Sequence, residues 1–229
     1  MTNHKPPPRN VNARLKTAKG RKISSTLWLQ RQLNDPYVQR AKAEGYRSRA
    51  AYKLIELNEK FHFLKAGIKV VDLGAAPGGW SQVAADIVNN GKKGLVVGVD
   101  LLPIEPLADV VLFEGDFTKP EVVDRLKKEA SGKVDVVLSD MAPNTTGHTK
   151  TDHIRIIALC EEAYLFACEV LNEGGVFISK VFQGGTENQL LNEIKRNFQT
   201  VKHAKPKASR ADSAELYLVA IGFKGNVDA

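Results

Sequence analysis

The stretch Lys69–Trp80, KVVDLGAAPGGW, decides the fold. Val70 and Val71 are β-branched and lead through Asp72 and Leu73 into Gly74, after which AAPGGW hands over to an apolar helical pattern. That order predicts a short buried strand, a glycine-bearing turn and a helix start. Glycines at such a handover let the backbone approach a bound ligand, because no Cβ intervenes. A plain strand-to-helix turn reads the same way, so the rest of the chain has to discriminate.

Outward from this stretch the pattern alternates strand and helix. Strands are predicted at 69–73, 94–100 (GLVVGVD), 110–114 (VVLFE), 133–139 (KVDVVLS) and 176–182 (VFISKVF). Helices are predicted through Val83 and Val88, from Pro120 to about Ala130, and over roughly 152–172, where Gly174 and Gly175 close the last before strand five. A helix over 187–197, a short strand near 200–204 and a final strand at 215–223, ELYLVAIGF, complete the chain. Alternating elements with short connections predict an α/β fold: a seven-stranded, doubly wound, mostly parallel sheet with helices on both faces. No helix separates the last two strands, so the final one is expected to be antiparallel and inserted beside strand five.

Upstream, Asp35 offers an N-cap with Pro36 at the first helical position, and Gly45 can close that helix. Ser48 is read as the cap of a second helix that carries Lys53. Residues 46–53, YRSRAAYK, interleave aromatic and basic side chains, which suits phosphate contact with stacking; Tyr46 and Tyr52 serve equally well as core anchors. Residues 1–33 are expected to be a disordered or extended basic arm, and 34–229 a single domain.

Charge is unevenly placed. Residues 1–53 hold 13 Lys or Arg against 2 acids, a balance of +11, whereas the remainder carries 20 basic against 24 acidic residues, −4. A basic arm on a slightly acidic globule points to a polyanionic partner, nucleic acid first. A solvated tail is the plainer alternative. A transit peptide ranks lower, because Pro6, Pro7 and Pro8 oppose an amphipathic helix. No apolar run reaches the ~18 residues of a membrane span. Cys160 and Cys168 fall in one predicted helix about 12 Å apart, too far for a disulfide, and are read as reduced thiols of a cytoplasmic protein. The scattered histidines offer no metal-ligand spacing, so no metal is expected.

In open α/β sheets, ligands bind beyond the carboxyl ends of the strands. Asp100, Asp116, Asp140 and Lys180 fall there, and Glu215 joins them if the last strand is antiparallel. Each alone is explained as a cap, turn former or surface charge; five on one rim are not. The acid after strand two suits ribose hydroxyls, which a nicotinamide dinucleotide and S-adenosylmethionine both supply. GAAPGG lacks the G-x-G-x-x-G spacing that seats a pyrophosphate on a helix N-terminus, and Asp116 adds an acid suited to an adenine amino group. A sulfonium donor brings no phosphate to neutralise, which favours S-adenosyl-L-methionine.

At this point VVDLGAAPGGWSQ, VDLLP, GDF, SDMAPN, SKVFQG and AELYLVA together resemble the FtsJ/RrmJ family of ribose 2′-O-methyltransferases. LNDPYVQRAKAEGYRSRAAYKL resembles its bacterial branch, which methylates a uridine ribose in large-subunit (23S) ribosomal RNA. The resemblance covers about 27–223; residues 1–26 lie outside it, and GGTENQ departs from the branch's usual loop. It implies a Rossmann-like, S-adenosylmethionine-dependent fold with cofactor contacts at Gly78, Trp80, Asp100, Asp116 and Asp140. It also implies a catalytic set of Lys53, Asp140, Lys180 and Glu215, with Lys180 as proton acceptor or as electrostatic positioner. The implied substrate is ribosomal RNA or the 50S subunit late in assembly, and the implied enzyme is a cytoplasmic monomer working without membrane or metal. A relative acting on transfer RNA or an mRNA cap, a silent RNA-binding assembly factor, a DNA amino-methyltransferase and a nicotinamide oxidoreductase are the rivals. SDMAPN lacks the aromatic N/D-P-P-Y motif of the DNA enzymes.

If the arm contacts phosphates, removing residues 1–30 lowers RNA affinity and flattens its salt dependence; filter binding across a salt series checks this, and an unchanged slope identifies an inert tail.

Overall fold

Neighbouring residues of a strand face opposite sides of its sheet, and here both sides are apolar. Val71, Val97, Val137 and Phe177 pack on one face against the helices of the second half of the chain, while Val70, Val96, Val136 and Ile178 pack on the other. The computed structural model describes Leu15, Gly20 and residues 22–143, 146–183 and 188–225. In chain order the elements are α1 (Ile23–Leu33), α2 (Pro36–Glu44), α3 (Ala50–Phe61), β1 (Lys69–Leu73), α4 (Gly79–Val88), β2 (Leu95–Asp100), β3 (Val110–Glu114) and α5 (Pro120–Glu129). Then follow β4 (Val134–Ser139), α6 (Thr149–Val170), β5 (Leu171–Phe182), α7 (Asn188–Asn197), β6 (Phe198–Ala204) and β7 (Glu215–Phe223).

The seven strands lie in the order β3-β2-β1-β4-β5-β7-β6, with β7 antiparallel to both neighbours. From β1 the chain runs outward through β2 and β3, then returns to add β4 on the other side. The crevice of an open α/β sheet forms at that reversal, between β1 and β4. Helices α3 and α4 cover one face and α5, α6 and α7 the other.

Most local expectations hold. Asp35 caps α2 by accepting the Tyr37 amide at 3.0 Å, Pro36 opens the helix and Gly45 closes it in the left-handed region. Three differ. Residues 23–33 form α1 rather than an extended arm: no Gly or Pro interrupts the run, Thr26 Oγ1 donates to the Lys22 carbonyl, and α1 contacts α2. The arm upstream of Lys22 lies outside the described residues, Leu15 and Gly20 apart. Ser48 does not cap α3. Arg49 occupies that position with helical backbone angles, and Ser48 Oγ is buried without a partner against Gly79. Strand five begins at Leu171, where α6 stops, so Gly174 and Gly175 lie inside an irregularity of β5 instead of ending a helix.

Gly74 shows how tightly the crevice is built. Its φ is +78°, and a Cβ there would fall 2.8 Å from the Met141 backbone nitrogen. Gly74→Ala combines left-handed strain with a backbone clash and is expected to destabilise the fold by about 2 kcal/mol or more, read as a shifted urea midpoint.

Candidate active site

Pairing of β5 with β7 sets Lys180 opposite Tyr217 and Phe182 opposite Glu215. Residues directly opposite share a face, and Glu215 and Tyr217, two apart, share it as well. Three polar side chains are thereby delivered to one spot by register alone. Asp140 joins from the residue after β4, and Lys53 comes down from α3.

The geometry is tight. Lys180 Nζ lies 2.7 Å from Asp140 Oδ1, donates to the Asp140 carbonyl at 2.7 Å, and stands 4.0 Å from Glu215 Oε2. Lys53 Nζ lies 2.7 Å from Glu215 Oε1, and Ser209 Oγ donates to the same oxygen at 2.9 Å. Tyr217 sits between the pairs: its hydroxyl donates to Asp140 Oδ1 at 2.7 Å and accepts from Lys53 at 3.2 Å. Burial, then the neighbouring Asp140 and Glu215, raises the phenol well above its ordinary value, so it keeps its proton and remains a donor. Burial alone would raise Asp140 too. The charges of Lys180 and Lys53, with hydrogen bonds from Lys180 and Tyr217, outweigh it and hold that carboxyl below its usual range.

Beside this cluster, across the ends of β1, β2 and β3, a cleft of about 130 Å³ is lined by Gly74, Asp100, Asp116, Phe117, Met141 and Leu159 among others. Asp100 accepts the Ala76 amide on Oδ2 and the Leu102 amide on Oδ1, both at 2.9 Å, which fixes the loops after β1 and β2 to each other. Asp116 Oδ1 accepts from Thr118 Oγ1 at 2.7 Å and its amide at 3.0 Å, and those bonds lower its carboxyl from the ordinary value. An apolar slot with two strand-end carboxylates fits an adenosyl group: carboxylates accept from ribose hydroxyls and an adenine amine, and among the described residues the lining contains no cation. Among the described residues no group of His, Cys, Asp or Glu is arranged to hold a metal ion.

The structure brings Lys53, Asp140, Lys180 and Glu215 together, and puts Asp100 and Asp116 on the cleft wall. Trp80 and Gly78 stand apart from that wall. The Trp80 ring is buried on Tyr217, with centroids 5.4 Å apart, and its Nε1 donates to the Ala50 carbonyl at 2.8 Å. Gly78 forms the left-handed cap of α4. Glu215 pairs with neither Arg210 nor Lys207; Arg210 Nε lies 3.5 Å from Asp35 instead. YRSRAAYK divides: Tyr46 and Tyr52 stack edge-on as core anchors, and Arg49 Nη1 lies 3.1 Å from Asp35.

Sequence reasoning missed Tyr217, although the two-residue spacing from Glu215 on a predicted strand carried the signal. It also passed over Asp72. That carboxyl is fully buried on β1; Oδ2 accepts from Ser81 Oγ at 2.6 Å while Oδ1 has no partner among the described residues. Burial first, then the charges of Asp140 and Asp100, push it up to about 7.

A sheet of this order with a cleft across its strand ends defines a Rossmann-like α/β protein. The FtsJ-like methyltransferase family matches residues 46–223, and the chain belongs to that family. Among curated relatives, the ribosomal RNA large subunit methyltransferase E of Paramagnetospirillum magneticum is 60% identical over 221 residues, 95% of this chain and 91% of that one. The protein of the same name from Rickettsia bellii is 54% identical, covering 98% of this chain and 100% of its own. Among solved structures, a Plasmodium falciparum protein described as a ribosomal RNA methyltransferase is 35% identical with a TM-score of 0.70, covering 79% of this chain and 100% of that chain.

Asp72 yields a pH prediction. A carboxyl whose folded-state pKa is raised keeps its proton where the unfolded chain has lost it, so stability declines as pH climbs from about 4 toward 7. Asp72→Asn removes this term. Urea unfolding at pH 5 and pH 8 should show the variant gaining on the wild type at the higher pH, by roughly 2–3 kcal/mol.

Proposed function

We propose that this protein transfers a methyl group from S-adenosyl-L-methionine to the ribose 2′-hydroxyl of a uridine in large-subunit ribosomal RNA. The observation that carries the reading is the convergence of Lys53, Asp140, Lys180 and Glu215 beside the cleft of Asp100 and Asp116. The names of the relatives support the substrate class, as does a basic hollow lined by Arg31, Arg49, Lys53 and Arg210 that opens onto Glu215. An assembling 50S subunit in the cytoplasm is the setting we propose, with no metal required.

The bound donor supplies an electrophilic methyl on a sulfonium sulfur. Asp100 would hold the ribose hydroxyls of its adenosyl group and Asp116 the adenine amine, with Asp140 toward the reacting atoms and with Gly78 and Trp80 supporting, from behind, the loop after β1 that borders the group. Transfer of that methyl to the acceptor's 2′-oxygen would require the hydroxyl proton to leave. Lys180 is the residue we place against that hydroxyl: as the ammonium paired with Asp140 it orients the oxygen, and it serves as proton acceptor only in its neutral amine form, after an ammonium proton has passed to solvent. Asp140 fixes its Nζ from both carboxylate and carbonyl, and Tyr217 and Lys53 hold the two carboxylates in turn. Holding both reactants in attack geometry contributes several kcal/mol by itself.

Mapping of 2′-O-methylation in ribosomal RNA, with and without the protein, tests the reaction and the nucleotide together. Lys180→Ala should abolish methyl transfer while calorimetry still registers the donor; substantial residual turnover would remove Lys180 from its role.

A further inference from the structure

The segment YRSRAAYK invites an RNA reading, yet its first arginine is occupied within the protein. Arg47 Nη1 donates to the Pro77 carbonyl at 3.3 Å and to that of Glu105, and Nη2 donates to the Pro106 carbonyl at 2.7 Å. Pro77 belongs to the loop after β1. Glu105 and Pro106 belong to the loop after β2, whose Leu101 lines the cleft. One guanidinium therefore spans the two loops that border the donor cleft.

Gly78 makes this reach possible: a Cβ there would fall 2.9 Å from Arg47 Nη1. The segment's own backbone is fixed separately. The Arg47 amide donates to Gln82 Oε1 at 3.1 Å, Gln82 Nε2 donates to the Gly45 carbonyl at 2.9 Å, and Trp80 anchors Ala50. Six residues beyond Arg47 the same segment delivers Lys53, 2.7 Å from Glu215. A planar fork of five donors can bridge three carbonyls from two loops, which a single ammonium cannot reproduce.

We infer that Arg47 is a positioning residue for the methyl donor, tying the loops after β1 and β2 to the segment that carries Lys53. The donor cleft and the acceptor-side lysine are thereby held as one unit. The inference rests on the donor-site reading above, and it separates Arg47 from the phosphate-binding arginines: its loss acts on donor affinity and leaves RNA affinity alone.

The test uses the full chain as wild type, Arg47→Lys and Arg47→Ala. Donor affinity is measured by calorimetry with S-adenosyl-L-methionine, RNA affinity by filter binding across a salt series, and steady-state constants for both substrates. Arg47→Lys keeps the charge and the aliphatic stem, so it decides the matter even where Arg47→Ala folds poorly. Donor Kd and KM should rise about tenfold, the scale of one lost charge-assisted hydrogen bond. At saturating donor, kcat should fall by less than donor KM rises, and the RNA Kd and salt slope should not move. Amide exchange should quicken in 74–79 and 101–109. Unchanged donor affinity in Arg47→Lys overturns the inference, as does weaker RNA binding with a reduced salt slope at intact donor affinity. Wild type that binds no donor overturns the donor-site reading and this inference together, whereas donor binding by wild type without loss in Arg47→Lys overturns this one alone.

Discussion

Lys180 and Asp140 face each other at 2.7 Å where their side chains are only 8% and 16% exposed. Two opposite charges taken out of water lose hydration that mutual attraction restores only with added hydrogen bonds, and removing one partner of such a pair costs about 3–5 kcal/mol. The surroundings meet that requirement. The Asp140 carbonyl and Tyr217 add hydrogen bonds, and Lys53 with Glu215 makes the set neutral. Much of the architecture follows from having to assemble these groups. Inserting β7 beside β5 sets Tyr217 opposite Lys180, and Trp80, wedged between Tyr217 and the Ala50 carbonyl, holds α3 at the height that brings Lys53 to Glu215.

The sheet was legible because strands buried on both faces are short β-branched runs and their connections carry helix signals of their own. Even the antiparallel β7 could be read, from the missing helix before it. The site was legible where a residue's place follows from its strand end, as with Asp100, Asp116 and Asp140. What escaped depends on packing between distant segments. Ser48 looks like a cap in sequence, but helical backbone at Arg49 and the close approach of Gly79 leave its hydroxyl enclosed without a partner. The place of Trp80 after the glycine loop does not disclose that its ring packs on Tyr217. Tyr217 itself looks like one more apolar strand residue. Only its register against Lys180 reveals that its hydroxyl joins the cluster.

Asp35 shows one residue meeting two demands. It caps α2, as its place before Pro36 announces, and its other oxygen stands 3.1 Å from Arg49 and 3.5 Å from Arg210. Two guanidiniums of like charge are held side by side because a single acid braces both. They then form one wall of the hollow that Arg31 and Lys53 complete. No local pattern discloses that bracing, since Arg210 is 175 residues away in the chain.

Two clefts of opposite character flank the cluster: Met141, next in sequence to Asp140, lines one, and Lys53 and Glu215 line the other. On one side the lining is apolar with two carboxylates and, among the described residues, no cation; on the other it holds three arginines and Lys53 against Asp212 and Glu215. Charge alone sorts ligands between them, since a sulfonium donor is favoured near acids and a polyphosphate cofactor is repelled there, whereas a phosphodiester strand is drawn to the basic side. The cluster's own two lysines and two acids balance each other in charge within ion-pair distance, and it is there that the proposed reaction would bring the acceptor hydroxyl to the methyl group.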